Sequence, residues 1–230
     1  MSYNIIGNLK DKEFSMIISL STHEPIEKIA NTADRIFFSF SLEEVFYGMG
    51  EEYYESIVEL ASIKEGYKVL DIGCGTGTLV IYEKRRVKDK GYVAGIDVSS
   101  KILKLSKKKI AKEDIDLKIG SIEKIPYEDD FFDVITCSMV THHLSSEEKK
   151  KGFSEVYRAL KPRGHFLLVD IGKPTNLTKK IFLKPFGYIM KSMKDNINGR
   201  LPYLLREAGF RQVKIVKKKR NYIDFISAFK

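Results

Sequence analysis

Three glycines, Gly73, Gly75 and Gly77, stand two residues apart in the stretch VLDIGCGTGTLV, with Asp71 just before them and Cys74 between the first two. Glycine lets a backbone take unusual dihedrals and approach a ligand closely. The helix expected to begin after Gly77 aims unpaired amide N–H groups at the same place. By itself such a turn is a weak signal, open to a nucleotide phosphate, another cofactor or a tight turn alone. Two details narrow the choice. The spacing is G-x-G-x-G, not G-x-G-x-x-G, and a carboxylate at Asp71 disfavours a pyrophosphate. The next apolar run, YVAGIDV, ends at Asp97, whose carboxylate can accept two hydrogen bonds from the hydroxyls of a ribose.

A ribose without phosphates, with positive charge nearby, describes S-adenosylmethionine: adenine, ribose, a sulfonium and an ammonium. His142 and His143 follow the fourth expected strand, on the side where an acceptor would sit. An imidazole that titrates near neutrality could act there as a general base. The bland reading is packing at a helix entry, and methyl transfer can proceed without a base because the sulfonium already activates the methyl group. Cys74 and Cys137 are the only cysteines. A nucleophilic role is set against the simpler one of small apolar side chains inside the cofactor motifs. They lie far apart, without metal spacing, which argues against a disulfide, a zinc site or any other metal site.

The elements that must position these groups follow from periodicity. PIEKIANTADRIFFSF carries Ile26, Ile29, Ala30, Ala33, Ile36, Phe37 and Phe40 at helical spacing. Ser41 and Glu44 form a capping-box pattern, and EEYYESIVELASI is a third helix candidate. From Tyr67 strands and helices alternate: YKVLDIG, the glycine turn, a helix to about Arg86, YVAGIDV, a helix capped by Ser99 or Ser100, DLKIGSI, FDVITCSMV, a helix with a Ser145–Glu148 capping box, a KPRG turn, and HFLLVD. That alternation predicts a parallel sheet covered on both faces. RLPYLLREAGF is a helix ended by Gly209, and RQVKIVKK and YIDFISAF form an antiparallel hairpin across KRN.

Four of these segments, in order, resemble the class I S-adenosylmethionine-dependent methyltransferases, in the ubiquinone/menaquinone C-methyltransferase-like group. They are VLDIGCGTGTL, GIDVS, IEKIPYEDDFFDVITCSMVTHHL and LKPRGHFLLVD, and the likeness spans about Val69 to Asp170. The resemblance implies a Rossmann-like seven-stranded, mostly parallel sheet in the order 3-2-1-4-5-7-6, strand 7 antiparallel, with helices on both faces. It implies that Gly73, Gly75 and Gly77, with Asp71 and Cys74, line the methionine end of the cofactor. Asp97 would hold the ribose, Val98 would pack on adenine, the Ile122 N–H would approach the adenine ring, and the Cys137 carbonyl would approach the amine. Ser121 stands where the family usually has Asp, and a neutral acceptor holds the adenine amine more weakly than a charged one.

The 230 residues suit one α/β core, residues 66–230, with an N-terminal helical segment, 1–65, over the substrate side and a helical insertion at about 173–200. Apolar residues make up 43 % of the chain, enough for a sizeable core, and the net charge is +9. That charge admits nucleic acid or anionic lipid as partner, or simply a lysine-rich surface. The stretch KKIFLKPFGYIMKSMK, residues 179–194, is basic and amphipathic and could touch a membrane or cap a lipophilic pocket. No apolar run is long enough to span a bilayer, and the N-terminus does not read as a signal peptide, so a cytoplasmic protein, peripheral to the membrane at most, is expected. The expected activity is methylation of a small acceptor, a lipid or quinone, with S-adenosylhomocysteine as product. A nucleic-acid methyltransferase and a non-catalytic cofactor-binding regulator are the alternatives. Oligomeric state does not follow from the sequence.

Overall fold

The computed structural model describes residues 50–175 and 191–230. The helix expected at residues 25–40 and the Ser41–Glu44 capping box lie outside the described residues, as does most of the basic stretch at 179–194. Seven strands form one sheet: β1 (Lys68–Ile72), β2 (Tyr92–Asp97), β3 (Asp116–Ile119), β4 (Phe132–Ser138), β5 (Leu160–Ile171), β6 (Arg211–Lys219) and β7 (Ile223–Phe229). Their order is β3-β2-β1-β4-β5-β7-β6. The first five strands pair in parallel, and β7 runs antiparallel to both β5 and β6. This is the expected fold. The chain winds outward from β1 to β3 and then returns to β4, so the switch in strand order lies between β1 and β4, where open parallel sheets bind ligands.

The described helices are α1 (Glu51–Leu60), α2 (Thr78–Val87), α3 (Ser100–Lys109), α4 (Ser146–Ala159), the single turn α5 (Lys194–Ile197) and α6 (Leu201–Glu207). Strand alternation divides the core in two. Val69, Val134, Leu167 and Val169 face one cluster with Ile57 and Val58 of α1 and Leu79, Val80 and Val87 of α2. Leu70, Ile135, Phe166 and Leu168 face the other, with Phe153 and Val156 of α4 and Leu204 and Leu205 of α6. Both faces of the central strands are therefore covered, which is why they read as unbroken apolar runs.

The caps match the sequence. Ser99 Oγ accepts from the Ile102 N–H at 3.3 Å. Ser145 and Glu148 bond reciprocally, the Ser145 N–H to Glu148 Oε2 at 2.6 Å and the Glu148 N–H to Ser145 Oγ at 3.3 Å. Two elements differ from expectation. KPRG is a bulge inside one long β5, not a turn before it. Leu160 pairs with Phe132 and His165 with Val134, so the intervening residues loop out of register, with Arg163 at φ 65°. The C-terminus holds this bulge in place, since the Lys230 N–H donates to the Gly164 carbonyl at 3.0 Å. The third strand ends at Ile119, short of Ile122, because the chain folds back at once through a bridge between Ser121 and Lys124.

Candidate cofactor cleft and acceptor side

The glycine turn joins the end of β1 to α2 with left-handed backbone at Gly73, Gly75 and Gly77 (φ 73°, 53° and 79°). Two of these positions also leave no room for a side chain. A Cβ on Gly73 would stand 2.3 Å from Val140 Cγ2, and one on Gly77 would stand 2.3 Å from Ser106 Oγ. The turn is pinned to β2: the N–H groups of Gly73 and Cys74 both donate to the Ile96 carbonyl, at 2.8 and 3.0 Å.

Asp97 closes the cleft on the β2 side. Its Oδ2 accepts from the Gly75 N–H at 3.1 Å and its Oδ1 from the Ser99 N–H at 2.8 Å. Each carboxylate oxygen keeps a further lone-pair site for a ligand hydroxyl. Burial raises Asp97 above the ordinary carboxylate range, and the two N–H groups partly offset this. Beyond Asp97 a groove of about 370 Å³ is lined by Val98, Ile119, Gly120, Ser121, Lys124 and Pro126. Val98 and Ile119 are 52 % and 63 % exposed, so the groove offers bare aliphatic surface of the kind a flat ring covers. Ile122 is buried and packs against Gly152 of α4.

Cys74 and Cys137 are buried free thiols. Burial, first of all, raises both above the ordinary thiol range, with nearby carboxylates adding to it. They are thus neutral packing groups. Cys74 lies against Gly95 of β2, and Cys137 pairs with Ile72 and Leu168 in the sheet.

The segment after β4, where the sequence reading expects the acceptor, folds as a 3-10 turn, Thr141–His143. Asp170, near the end of β5, is fully buried beneath it. Asp170 Oδ2 accepts from the Thr141 N–H at 2.6 Å, Thr141 Oγ1 at 2.7 Å and the His142 N–H at 3.3 Å. Its Oδ1 accepts from the Ile171 N–H at 2.7 Å and lies 2.8 Å from His142 Nδ1. Burial pushes this carboxyl up, but His142 and the converging donors outweigh it and hold Asp170 below its usual range. An ionised Asp170 requires the proton on His142 Nδ1, which leaves Nε2 as the nitrogen able to take another. His143 lies beside it, ring centroids 3.9 Å apart, but on the surface. Repulsion from His142 is the main reason that His143 is held below its usual range.

Asp170 has no role in the sequence-based reading, although HFLLVD quotes it; the available signal was an acid ending an otherwise apolar strand. Glu83 and Thr136 were also missed. Glu83 sits in the apolar stripe of α2 among Leu79, Val80 and Val87, and such a position should have raised the question of its partner. The Tyr53 hydroxyl lies 2.7 Å from Ser138 Oγ at the end of β4. Tyr54 instead stacks on Tyr82.

Residues 69–164 match the family model described as a methyltransferase domain. A demethylmenaquinone methyltransferase of Lactobacillus johnsonii is 30 % identical in an alignment 178 positions long that covers 67 % of this chain and 72 % of that protein. This chain belongs to the S-adenosylmethionine-dependent methyltransferases, in the branch of the quinone methyltransferases. A demethylmenaquinone methyltransferase of Listeria monocytogenes is 27 % identical over 220 residues, 84 % of this chain and 89 % of that one. A crystal structure of a SAM-dependent methyltransferase from Aquifex aeolicus superposes with a TM-score of 0.62 at 26 % identity, covering 76 % of this chain and 88 % of that one. The residues present suit this cofactor on structural grounds as well: Gly73 and Gly77 have no room for side chains, an acid stands at the β2 end, and an aliphatic groove adjoins it. A nucleic-acid methyltransferase is not favoured. Among the described residues no helix is long and apolar enough to cross a membrane, and no cluster of His, Cys, Asp or Glu could hold a metal.

Proposed function

We propose that this methyltransferase acts on a small, lipophilic, quinone-type acceptor, and that His142 removes the acceptor's proton while Asp170 orients it. When bound, the cofactor supplies a methyl group activated by its sulfonium. The backbone of Gly73, Gly75 and Gly77, with Asp71 and Cys74, would surround the methionine end, with the Cys137 carbonyl toward the amine. Asp97 would accept from the ribose hydroxyls. Val98 would pack on the adenine, the Ile122 N–H would approach its ring, and Ser121 would accept from its amino group. The N-terminal segment, residues 1–65, and the insertion at 173–200 would cover the acceptor, peripheral contact with a membrane providing access to it, in an otherwise cytoplasmic enzyme.

One observation carries the reading. Val140 fills the space against Gly73, and the very next residues, Thr141 and His142, are bonded to Asp170. The candidate base is thus tied by one short segment to the wall of the cofactor cleft, and fixed geometry between reactants is what lowers such a barrier. A deprotonated hydroquinone or phenol is a strong carbon or oxygen nucleophile, so a fixed base suits this acceptor class. The names of the relatives at 27–30 % identity support the same class.

The test has two parts. Calorimetry with S-adenosylmethionine and S-adenosylhomocysteine should show binding of both, and absence of both would overturn the cofactor assignment. Incubation with labelled cofactor and separate quinone, polar-lipid and RNA fractions should place the label in the quinone fraction; label in RNA alone would overturn the acceptor class.

A further inference from the structure

Beneath the glycine turn lie two carboxyl groups that share one hydroxyl. Asp71 comes from β1, Glu83 from the middle of α2, and Thr136 from β4 stands between them. Thr136 Oγ1 is 2.7 Å from Glu83 Oε1 and 3.4 Å from Asp71 Oδ1. Asp71 is 1 % exposed and Glu83 is 0 % exposed. Glu83 Oε2 is buried and has no hydrogen-bond partner among the described residues.

Among the described residues no lysine, arginine or histidine pairs with either carboxyl. Lys84, next in sequence, reaches away to the Gly91 carbonyl at 3.4 Å and to Asp114 at 4.0 Å. The other titratable groups around the pair, among the described residues, bring no positive charge. They are Cys74 in the turn, Cys137 beside Thr136 on β4, and Asp97 at the end of β2. From α1, which packs on α2, come Tyr53 and Tyr54, and Tyr54 is stacked on Tyr82. Two carboxyls this close, dry and without a cation do not both ionise. Burial, and for Asp71 also the charge of Glu83, pushes Asp71 well above its usual range and Glu83 up to about 8.

We propose that Asp71 and Glu83 hold a proton between them in the cofactor-free protein, and that a cation bound in the cleft above displaces it, so that Glu83 couples affinity for the charged cofactor to proton release and favours it over the demethylated product. The proposal rests on the glycine cleft being the cofactor site. The balance is simple: one carboxyl O–H bond breaks, its proton passes to the solvent, and the negative charge left behind faces the bound cation. S-adenosylhomocysteine lacks the sulfonium and keeps only the ammonium, so it draws less charge from the pair. Glu83 is here a positioning residue for charge, acting through Asp71.

The experiment is a calorimetric titration of the full chain in buffers of differing protonation enthalpy, with S-adenosylmethionine and separately with S-adenosylhomocysteine. The wild type should release up to about one proton on binding the cofactor, the most that one shared proton allows, and fewer on binding the product. Its cofactor affinity should rise with pH by as much as about tenfold per unit near neutrality. Glu83→Gln removes the second carboxyl that shares the proton and the repulsion it exerts on Asp71, leaving burial alone to raise Asp71, so both the proton release and the rise should be much reduced; Glu83→Leu should behave alike. Titration of the ligand's own amine is common to all three proteins and cancels in the comparison. Binding by the wild type without proton release, or release unchanged in both variants, overturns the proposal alone. Failure of the wild type to bind either ligand overturns the cofactor assignment, and the proposal with it.

Discussion

Val140 Cγ2 stands 2.3 Å from where a Cβ of Gly73 would lie. This contact joins the two halves of the site, since Gly73 begins the turn after β1 and Val140 leads from β4 into the turn that carries His142. Gly73→Ala would meet both this clash and a left-handed backbone at φ 73°. The expected cost is about 1–3 kcal/mol of stability, seen in chemical denaturation. Val140 is a short aliphatic side chain, so the double variant with Val140→Ala should recover part of that loss, leaving only the backbone strain. Recovery to the wild-type value would show that φ at this position costs nothing.

Asp97 serves the turn before it serves any ligand. Asp97→Asn keeps a side-chain acceptor for one of the N–H groups of Gly75 and Ser99, but its amide cannot accept at both ends. Loss of a charge-assisted bond costs about 1.5–3 kcal/mol. Affinity for S-adenosylmethionine and for S-adenosylhomocysteine should therefore fall by a similar factor, roughly 10- to 100-fold by that arithmetic, because ribose is common to both. Equal affinity in wild type and variant, by calorimetry, would take Asp97 out of the cleft's recognition.

Asp170 accepts four hydrogen bonds besides facing His142 Nδ1. Replacing His142 by Ala should lower kcat by about 10²- to 10⁴-fold, the usual worth of a general base, with cofactor affinity nearly unchanged. Asp170→Asn presents an amide to Nδ1 and lets the ring take the other tautomer, so kcat should fall while KM for the acceptor moves little. His143→Ala should cost far less than His142→Ala, because that ring lies at the surface and Asp170 does not touch its nitrogens. A flat pH profile in the wild type would argue against any base.

Much of this was readable before the structure because it depends on local spacing. The glycine turn, the acid ending β2 and the capping box at Ser145 each need only neighbours in sequence. The parallel sheet followed from the alternation of strands and helices, and the strand order from the family likeness alone. What escaped the sequence is pairing across elements. Asp170 and His142 come from different strands' ends, and Glu83 meets Asp71 and Thr136 only after α2 has folded back on the sheet. KPRG was misjudged for a related reason: Pro and Gly punctuate a chain locally, whereas the partner strands decide whether the punctuation is a turn or a bulge. Here the Gly164 carbonyl and the Arg163 N–H are both claimed by Lys230, at the far end of the chain.

The acid pair also makes a prediction about stability that needs no ligand. Glu83 loses its proton in the unfolded chain near its ordinary value of 4.5 but keeps it in the folded protein to about 8. Between those limits the folded state binds more protons than the unfolded state, so stability must fall as pH rises. The slope contributed by one such group approaches about 1.4 kcal/mol per pH unit in the middle of the window and vanishes outside it. Denaturant titrations at several pH values from about 5 to 8 should show this decline in the wild type. Glu83→Gln removes the titrating group and frees Asp71 from its repulsion, so the decline should be much weaker in the variant. Glu83→Leu, which also removes the unpaired Oε2, should be the more stable of the two at the alkaline end, because no buried polar atom there is left without a partner. Parallel pH dependence in wild type and both variants would mean that the Glu83 carboxyl is ionised in the folded protein throughout this range.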